Sequence, residues 1–249
     1  MSLTGKRVLV TGGTRGIGLG IVEGFVSRGA TVVFSGRDQQ LGERVSINTG
    51  AQFVAADLRV AHDVSNLVAQ CVESVGGLDI LCHNAGVYPE HTLESMTDES
   101  WHDVLDTNLT SAMMLVRAAH PHLVKAGSGR VVLISSITGP RTAIPALTHY
   151  AASKAGLEGF ARAAAVELAP HGITVNCVAP GTILTEGLAQ LYSEPGVMDE
   201  VVGRIPAGRI GTPADIAAAV TFLADQDSGF ITGQSIIVDG GQTLPEVQS

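Results

Sequence analysis

The stretch Thr148–Gly159, THYAASKAGLEG, carries a tyrosine and a lysine four residues apart. Small side chains fill much of it, and read as helix it brings Tyr150 and Lys154 onto one face. A free phenol titrates near ~10, too high to act easily as a base around neutrality. An ammonium one turn away favours the phenolate. At roughly 4 Å and an effective dielectric near 20, the pair gains about 4 kcal/mol. That corresponds to about 3 pKa units before screening and lysine desolvation are counted. Such a pair suits proton transfer to or from an oxygen whose carbon gains or loses a hydride. Alone, the spacing describes an interfacial tyrosine beside a solvated lysine just as well, so the surrounding elements must decide.

A nucleotide-binding loop stands upstream. Val10–Gly18, VTGGTRGIG, follows the first apolar run, with Gly12, Gly16 and Gly18 where strand turns into helix. Bare amide groups and the positive end of the helix can approach a pyrophosphate closely there. Arg15 lies in this loop, and Arg37 follows the second apolar run in VVFSGRD. Two guanidinium groups can hold a phosphate bidentately, which favours NADP, with NAD as the alternative. Asp38 competes for the charge of Arg37.

The elements that position these groups alternate along the chain. Strands are predicted at Arg7–Val10, Thr31–Phe34, Gln52–Ala55, Asp79–Cys82, Arg130–Ile134, Thr174–Val178 and Ser235–Val238. Helices are predicted at Ile17–Arg28, Gln39–Ile47, His62–Val75, Glu99–Val124, Tyr150–Leu168 and Pro213–Ala224. This alternation indicates right-handed β-α-β units and a parallel, doubly wound sheet with helices on both faces. No linker divides the chain, so a single domain over 1–249 is expected. The Pro- and Gly-bearing stretch at about 182–212 breaks the rhythm at the ligand end of such a sheet and is expected to form a substrate lid.

Composition narrows the function classes. The chain of 249 residues is 45 % hydrophobic and only 16 % charged, which suggests subunit contacts; its net charge of −9 argues against nucleic-acid and anionic-membrane binding. Cys71, Cys82 and Cys177 lie far apart and read as buried, reduced thiols. With no secretory leader pattern and no membrane-length apolar run, a soluble cytoplasmic protein is expected. The eight histidines show no ligand spacing, His120-Pro121-His122 included, so no metal site is predicted.

The glycine loop together with further motifs resembles the short-chain dehydrogenase/reductase family, with β-ketoacyl-carrier-protein reductases and sugar or polyol dehydrogenases most similar. Gly12, Thr14, Arg15, Gly16, Ile17 and Gly18 match its coenzyme fingerprint. Asp57-Leu58 looks like its adenine-contacting pair, Asn84-Ala85-Gly86 like its N-A-G motif, and Pro180-Gly181 with Ile183 and Thr185 like its nicotinamide-contacting segment. His83 departs from the family, many members of which carry a second Asn there. The resemblance implies a Rossmann-type, mainly parallel seven-stranded sheet. It assigns Tyr150 to proton transfer and Lys154 to lowering the phenol pKa and binding the ribose. Of the two serines at the end of the fifth strand, which alternation sends to opposite faces, it selects Ser136 over Ser135 to polarise the substrate oxygen. It makes Asn108 the support of a proton relay to the lysine.

Gly36 stands where NAD-using relatives usually carry Asp, which again favours NADP. The implied enzyme acts on a carbonyl or secondary-alcohol substrate as a homotetramer. Enoyl reductases usually space Tyr and Lys more widely. A non-catalytic nucleotide-binding regulator is the alternative of another class. Tyr88, Ile137, Pro140, Arg141, Ile144 and lid residues Leu184, Leu188, Leu191 and Tyr192 are expected to wall the substrate pocket, with Arg141 holding an anionic group or making a subunit contact.

Overall fold

The computed structural model describes residues 2–191 and 196–245, the side chains of 189–191 excepted. Seven strands form one sheet: β1 Arg7–Thr11, β2 Thr31–Gly36, β3 Gln52–Ala55, β4 Ile80–His83, β5 Arg130–Ile134, β6 Thr174–Pro180 and β7 Ser235–Val238. Their order is β3-β2-β1-β4-β5-β6-β7, and every pairing is parallel. The order reverses between β1 and β4, where Thr11 pairs with His83. That reversal opens a crevice at the carboxyl ends of the strands, the place where such sheets take their ligands.

Both faces of the sheet are covered, which is why its strands are continuous apolar runs. On one face Leu9, Leu81 and Leu133 pack with Leu67 of α3 (Ala61–Val75), Leu115 of α5 (Ser111–Ala126) and Leu157 of α6 (Thr148–Leu168). On the other, Val8, Val10 and Ile80 pack with Phe25 of α1 (Gly16–Val26), Val45 of α2 (Gln39–Thr49) and Val220 of α9 (Pro213–Ala224). Neighbours such as Val8 and Leu9 take opposite faces because a strand has a side-chain period of two.

Two regions differ from the sequence expectation. The predicted helix Glu99–Val124 is three pieces: α4 (Asp98–Leu105), a π-helical turn (Asp106–Thr110) and α5. It begins one residue earlier because Thr97 and Ser100 form a reciprocal cap at 3.1 Å in each direction. The amphipathic period does not register one extra residue, so the π turn is invisible to it. The segment at 182–212 is not merely irregular: it holds two short helices, α7 (Glu186–Leu191) and α8 (Val197–Gly203). It is tied down where Ile183 bridges Gly211. The expected lid residue Tyr192 and the side chain of Leu191 lie outside the described residues. Among the described residues no helix is long and apolar enough to cross a membrane.

Candidate active site

A cleft of about 720 Å³ runs along the crevice, lined by the glycine turn, the ends of β2, β4, β5 and β6, and the start of α6. The turn after β1 is shaped by close approach. A Cβ on Gly18 would sit 1.9 Å from the Gly12 carbonyl oxygen, and one on Gly12 2.8 Å from Ala85 Cα. No larger residue fits either place, so the amides at the N-terminus of α1 stay open to the cleft. Asn84 faces this turn: its Nδ2 donates to the carbonyls of Thr11 at 3.2 Å and Gly12 at 3.0 Å. Its side chain thereby braces the loop, and Ala85 and Gly86 carry the cleft wall onward.

At the β2 end, Arg15 and Arg37 are exposed and line the cleft, and neither joins an ion pair among the described residues. The competing Asp38 is used otherwise, as the N-cap of α2, accepting from Leu41 N at 2.9 Å. Asp57 and Leu58 also line the cleft. A residue that sequence reasoning missed, Arg59, takes the Asp57 carboxylate at 2.7 Å and reaches Asp103 of α4 at 3.0 Å. The Arg59 hydrogen bond holds Asp57 below the usual carboxylate range, against its partial burial. The run Asp57-Leu58-Arg59 was the available signal.

At the opposite end Pro180, Gly181 and Thr185 reach the cleft. The Ile183 side chain does not: it is 5 % exposed and packs beneath the surface against Gly211. Arg141 is likewise absent from the cleft wall. Its guanidinium lies 3.7 Å from the buried carboxylate of Glu158. Tyr88 does line the cleft, its ring edge-on to Tyr150 at 5.9 Å between centroids.

Ser136, Tyr150 and Lys154 lie together on the wall made by β5 and α6. Gly139, with φ +105°, lets the connecting loop cross the helix, since a Cβ there would meet the Ala151 carbonyl at 2.3 Å. Ser136 Oγ accepts from Thr138 N at 3.0 Å. Ser135 is turned to the helix, its hydroxyl 3.3 Å from the Lys154 carbonyl and 3.4 Å from Glu158. Lys154 is 4 % exposed, and its ammonium donates to the Ile134 carbonyl at 2.8 Å, 5.6 Å from the Tyr150 ring centre. Burial pulls its pKa down to about 8.

The Tyr150 phenol runs against expectation. Burial raises it, Ser136 opposes by hydrogen bonding, and the net position is above the ordinary phenol value. With the ammonium held on the Ile134 carbonyl, 5.6 Å from the ring centre, desolvation sets the net direction. Asn108 sits behind the wall, fully buried on the π turn. Its amide accepts from Val87 N at 2.8 Å and donates to Val87 O at 2.9 Å and Ser153 Oγ at 3.1 Å. A Cβ on Gly86 would lie 3.3 Å from Asn108 Oδ1 and 3.5 Å from Lys154 Nζ, so both side chains close on the same backbone spot. π turns gather at functional sites.

The chain is similar over its length to proteins of known kind. A family model described as enoyl-(acyl carrier protein) reductase matches residues 12–243. A 3-oxoacyl-[acyl-carrier-protein] reductase of Haemophilus influenzae is 40 % identical over 244 residues, covering 97 % of this chain and 100 % of that one. A short-chain reductase of Streptomyces niveus, NovJ, is 37 % identical, with 94 % and 92 % covered. A solved structure of a candidate gluconate dehydrogenase from Agrobacterium tumefaciens superposes with a TM-score of 0.92 at 33 % identity, covering 98 % of each chain. With this sheet order, the glycine turn and these relatives, the chain belongs to the short-chain dehydrogenase/reductase family and is an NAD(P)-dependent oxidoreductase.

Proposed function

We propose that this enzyme interconverts a ketone and a secondary alcohol with NADP(H), and that reduction is its favoured direction. The observation that carries the reading is the convergence of Ser136, Tyr150 and Lys154 on one wall of a cleft whose other end is the glycine turn. The cradle fits a dinucleotide: Gly12 and Gly18 sit where a Cβ would collide, and the cleft runs from Arg37 past Gly86 to Thr185. The coenzyme, when bound, exchanges a hydride with the substrate carbon. Gly12 to Gly18 and the α1 N-terminus would hold its pyrophosphate, and Arg15 and Arg37 a 2′-phosphate.

The chain's own residues manage the proton. Held above its ordinary pKa, the Tyr150 phenol stays protonated near neutrality and can donate to a developing alkoxide. Ser136 stands beside it to orient that oxygen. Lys154 supplies a buried positive charge that stabilises the phenolate left after donation. Asn108 fixes the Val87 backbone, and it meets Lys154 at the adjoining Gly86, which supports its assignment to the relay.

Proton delivery to oxygen, with a serine hydroxyl at hand, fits carbonyl reduction better than the enoyl reduction for which the matched family is described. The gluconate dehydrogenase named among the solved structures supports a sugar or polyol oxidation with NAD as the second reading. Assays of ketones, sugars and alcohols with both coenzymes distinguish the two. Tyr150→Phe should lower kcat by about 10²–10⁴-fold with coenzyme Kd unchanged; undiminished turnover would sink the mechanism. A cytoplasmic homotetramer completes the proposal. Ala152, Ala155 and Ala163 are exposed along α6 and allow close packing of a second copy, which light scattering would test.

A further inference from the structure

We infer that His83 is a positioning residue which, through one fixed tautomer, locks the glycine turn to the π turn carrying Asn108. The inference rests on the reading that this cleft binds a nicotinamide coenzyme. His83 ends β4, is 1 % exposed and reaches the end of β1 on one side and the start of α5 on the other. Its Nδ1 lies 2.9 Å from Thr11 Oγ1, and its Nε2 lies 3.2 Å from Ser111 Oγ.

The neighbours decide the direction of both bonds. Ser111 Oγ donates to the Thr107 carbonyl at 2.6 Å, so toward His83 it accepts, and Nε2 carries the hydrogen. Thr11 Oγ1 accepts from Asn84 N at 3.2 Å and Ala85 N at 3.3 Å, so its own hydrogen goes to Nδ1. The chain of donors therefore runs from the Asn84–Ala85 amides through Thr11, His83 and Ser111 to Thr107. Thr11 immediately precedes Gly12, and Thr107 lines the cleft next to Asn108. The imidazole thus links the two ends by side chains, beside the backbone route from Asn84 to Val87 and Asn108. Protonation would put a second N–H at Nδ1, against the Thr11 hydroxyl. Burial, then the Lys154 charge, lowers the His83 pKa to about 3, against the opposing effect of the Asn108 backbone as a hydrogen-bond acceptor. The ring accordingly stays neutral through the working range.

Asparagine places its amide near the position of Nδ1, glutamine near that of Nε2, so the two halves of the lock can be opened separately. His83→Asn keeps an acceptor for Thr11 and loses Ser111. It should leave the NADPH Kd within about twofold and lower kcat by about 5–10-fold. His83→Gln keeps the donor to Ser111 and leaves Thr11 unpaired. It should raise Kd by about 5–10-fold with kcat within about twofold. Ring-¹⁵N spectra of the wild-type protein should show His83 as the Nε2–H tautomer, unchanged from pH 8 to pH 5. An Nδ1–H ring, a titration in that range, or variants whose Kd and kcat move together or not at all would overturn the assignment. Failure of the wild type to bind either coenzyme would refute the coenzyme reading instead, and the ring spectra would still decide the tautomer.

Discussion

Gly36→Asp puts the coenzyme preference to a quantitative test. Gly36 closes β2, and a Cβ there would lie 2.6 Å from Thr14 Cγ2. Thr14 is β-branched and turns stiffly about χ1, so its methyl yields little. Crowding of this kind costs about 1–3 kcal/mol, and its lower bound alone weakens any coenzyme about fivefold. The carboxylate adds repulsion specific to NADP. Taken about 5 Å from a phosphate charge at an effective dielectric near 40, it costs about 1.7 kcal/mol per unit charge, or about 15-fold in affinity. Gly36→Asp should therefore weaken NADPH by about 80-fold or more and NADH by about fivefold or more. Adding Thr14→Ala removes the crowding: measured against Thr14→Ala alone, the double variant should bind NADH equally and NADPH about 15-fold more weakly. Fluorescence titration of both coenzymes at two salt concentrations separates the effects, since only the repulsion is screened. If Gly36→Asp bound NADPH as tightly as the wild type, the placement of the 2′-phosphate at this strand end would be wrong.

The Asp79 carboxylate ties the starts of β1 and β4 together, accepting from Arg7 N at 2.8 Å, Nε at 2.7 Å and Nη2 at 2.9 Å. Burial alone would raise its pKa, but these bonds outweigh it and the net shift is downward. Asp79→Asn should cost about 1.5 kcal/mol at pH 7 and lower Tm by about 3–6 °C. The wild-type advantage should hold above about pH 4 and fade as pH falls through the depressed folded value; equal melting of both proteins at pH 7 would refute the contribution. Lys154 carries linkage of the same sign at higher pH, with a folded pKa of about 8 below the unfolded value of ~10.4. Between these values the unfolded chain holds the extra proton, so stability should rise with pH there, and Lys154→Met should abolish that slope. In the coenzyme-free enzyme the same loss of charge predicts that kcat/KM for NADPH falls with one ionisation near pH 8, which initial rates against pH would reveal.

Most of the fold was legible because its signal is local. The β-branched runs mark all seven strands to within two residues, as β6 shows by running on to Pro180 and β4 by starting at Ile80. The glycine positions of the β1–α1 turn follow from contacts that admit no side chain. What escaped depends on distance in space. The side-chain partners of Ile183 and Arg141, Gly211 and Glu158, come from other parts of the chain and leave no mark in the motifs. The phenol of Tyr150 was expected to be lowered by Lys154, a reading that took the lysine as free. The Ile134 carbonyl that occupies its ammonium comes from another element, and helix spacing carries no trace of it. The role of His83 was equally hidden, since its partners Thr11 and Ser111 are 72 and 28 residues away.

The π turn at Asp106–Thr110 has a consequence for the length of the chain. Each residue of an α-helix turns the next by about 100°, so one extra residue resets the phase between α4 on one side and α5 on the other. Val104 before the turn and Ala112, Leu115, Ala119 and Leu123 after it are all buried. Deleting a single residue from 106–110 would restore an unbroken helix with the apolar stripe of α5 still facing the sheet, and would remove the widened turn that carries Asn108. The turn thus acts as a frame-shift within one rod: it lets one helix obey two registers, with Asn108 placed at the join.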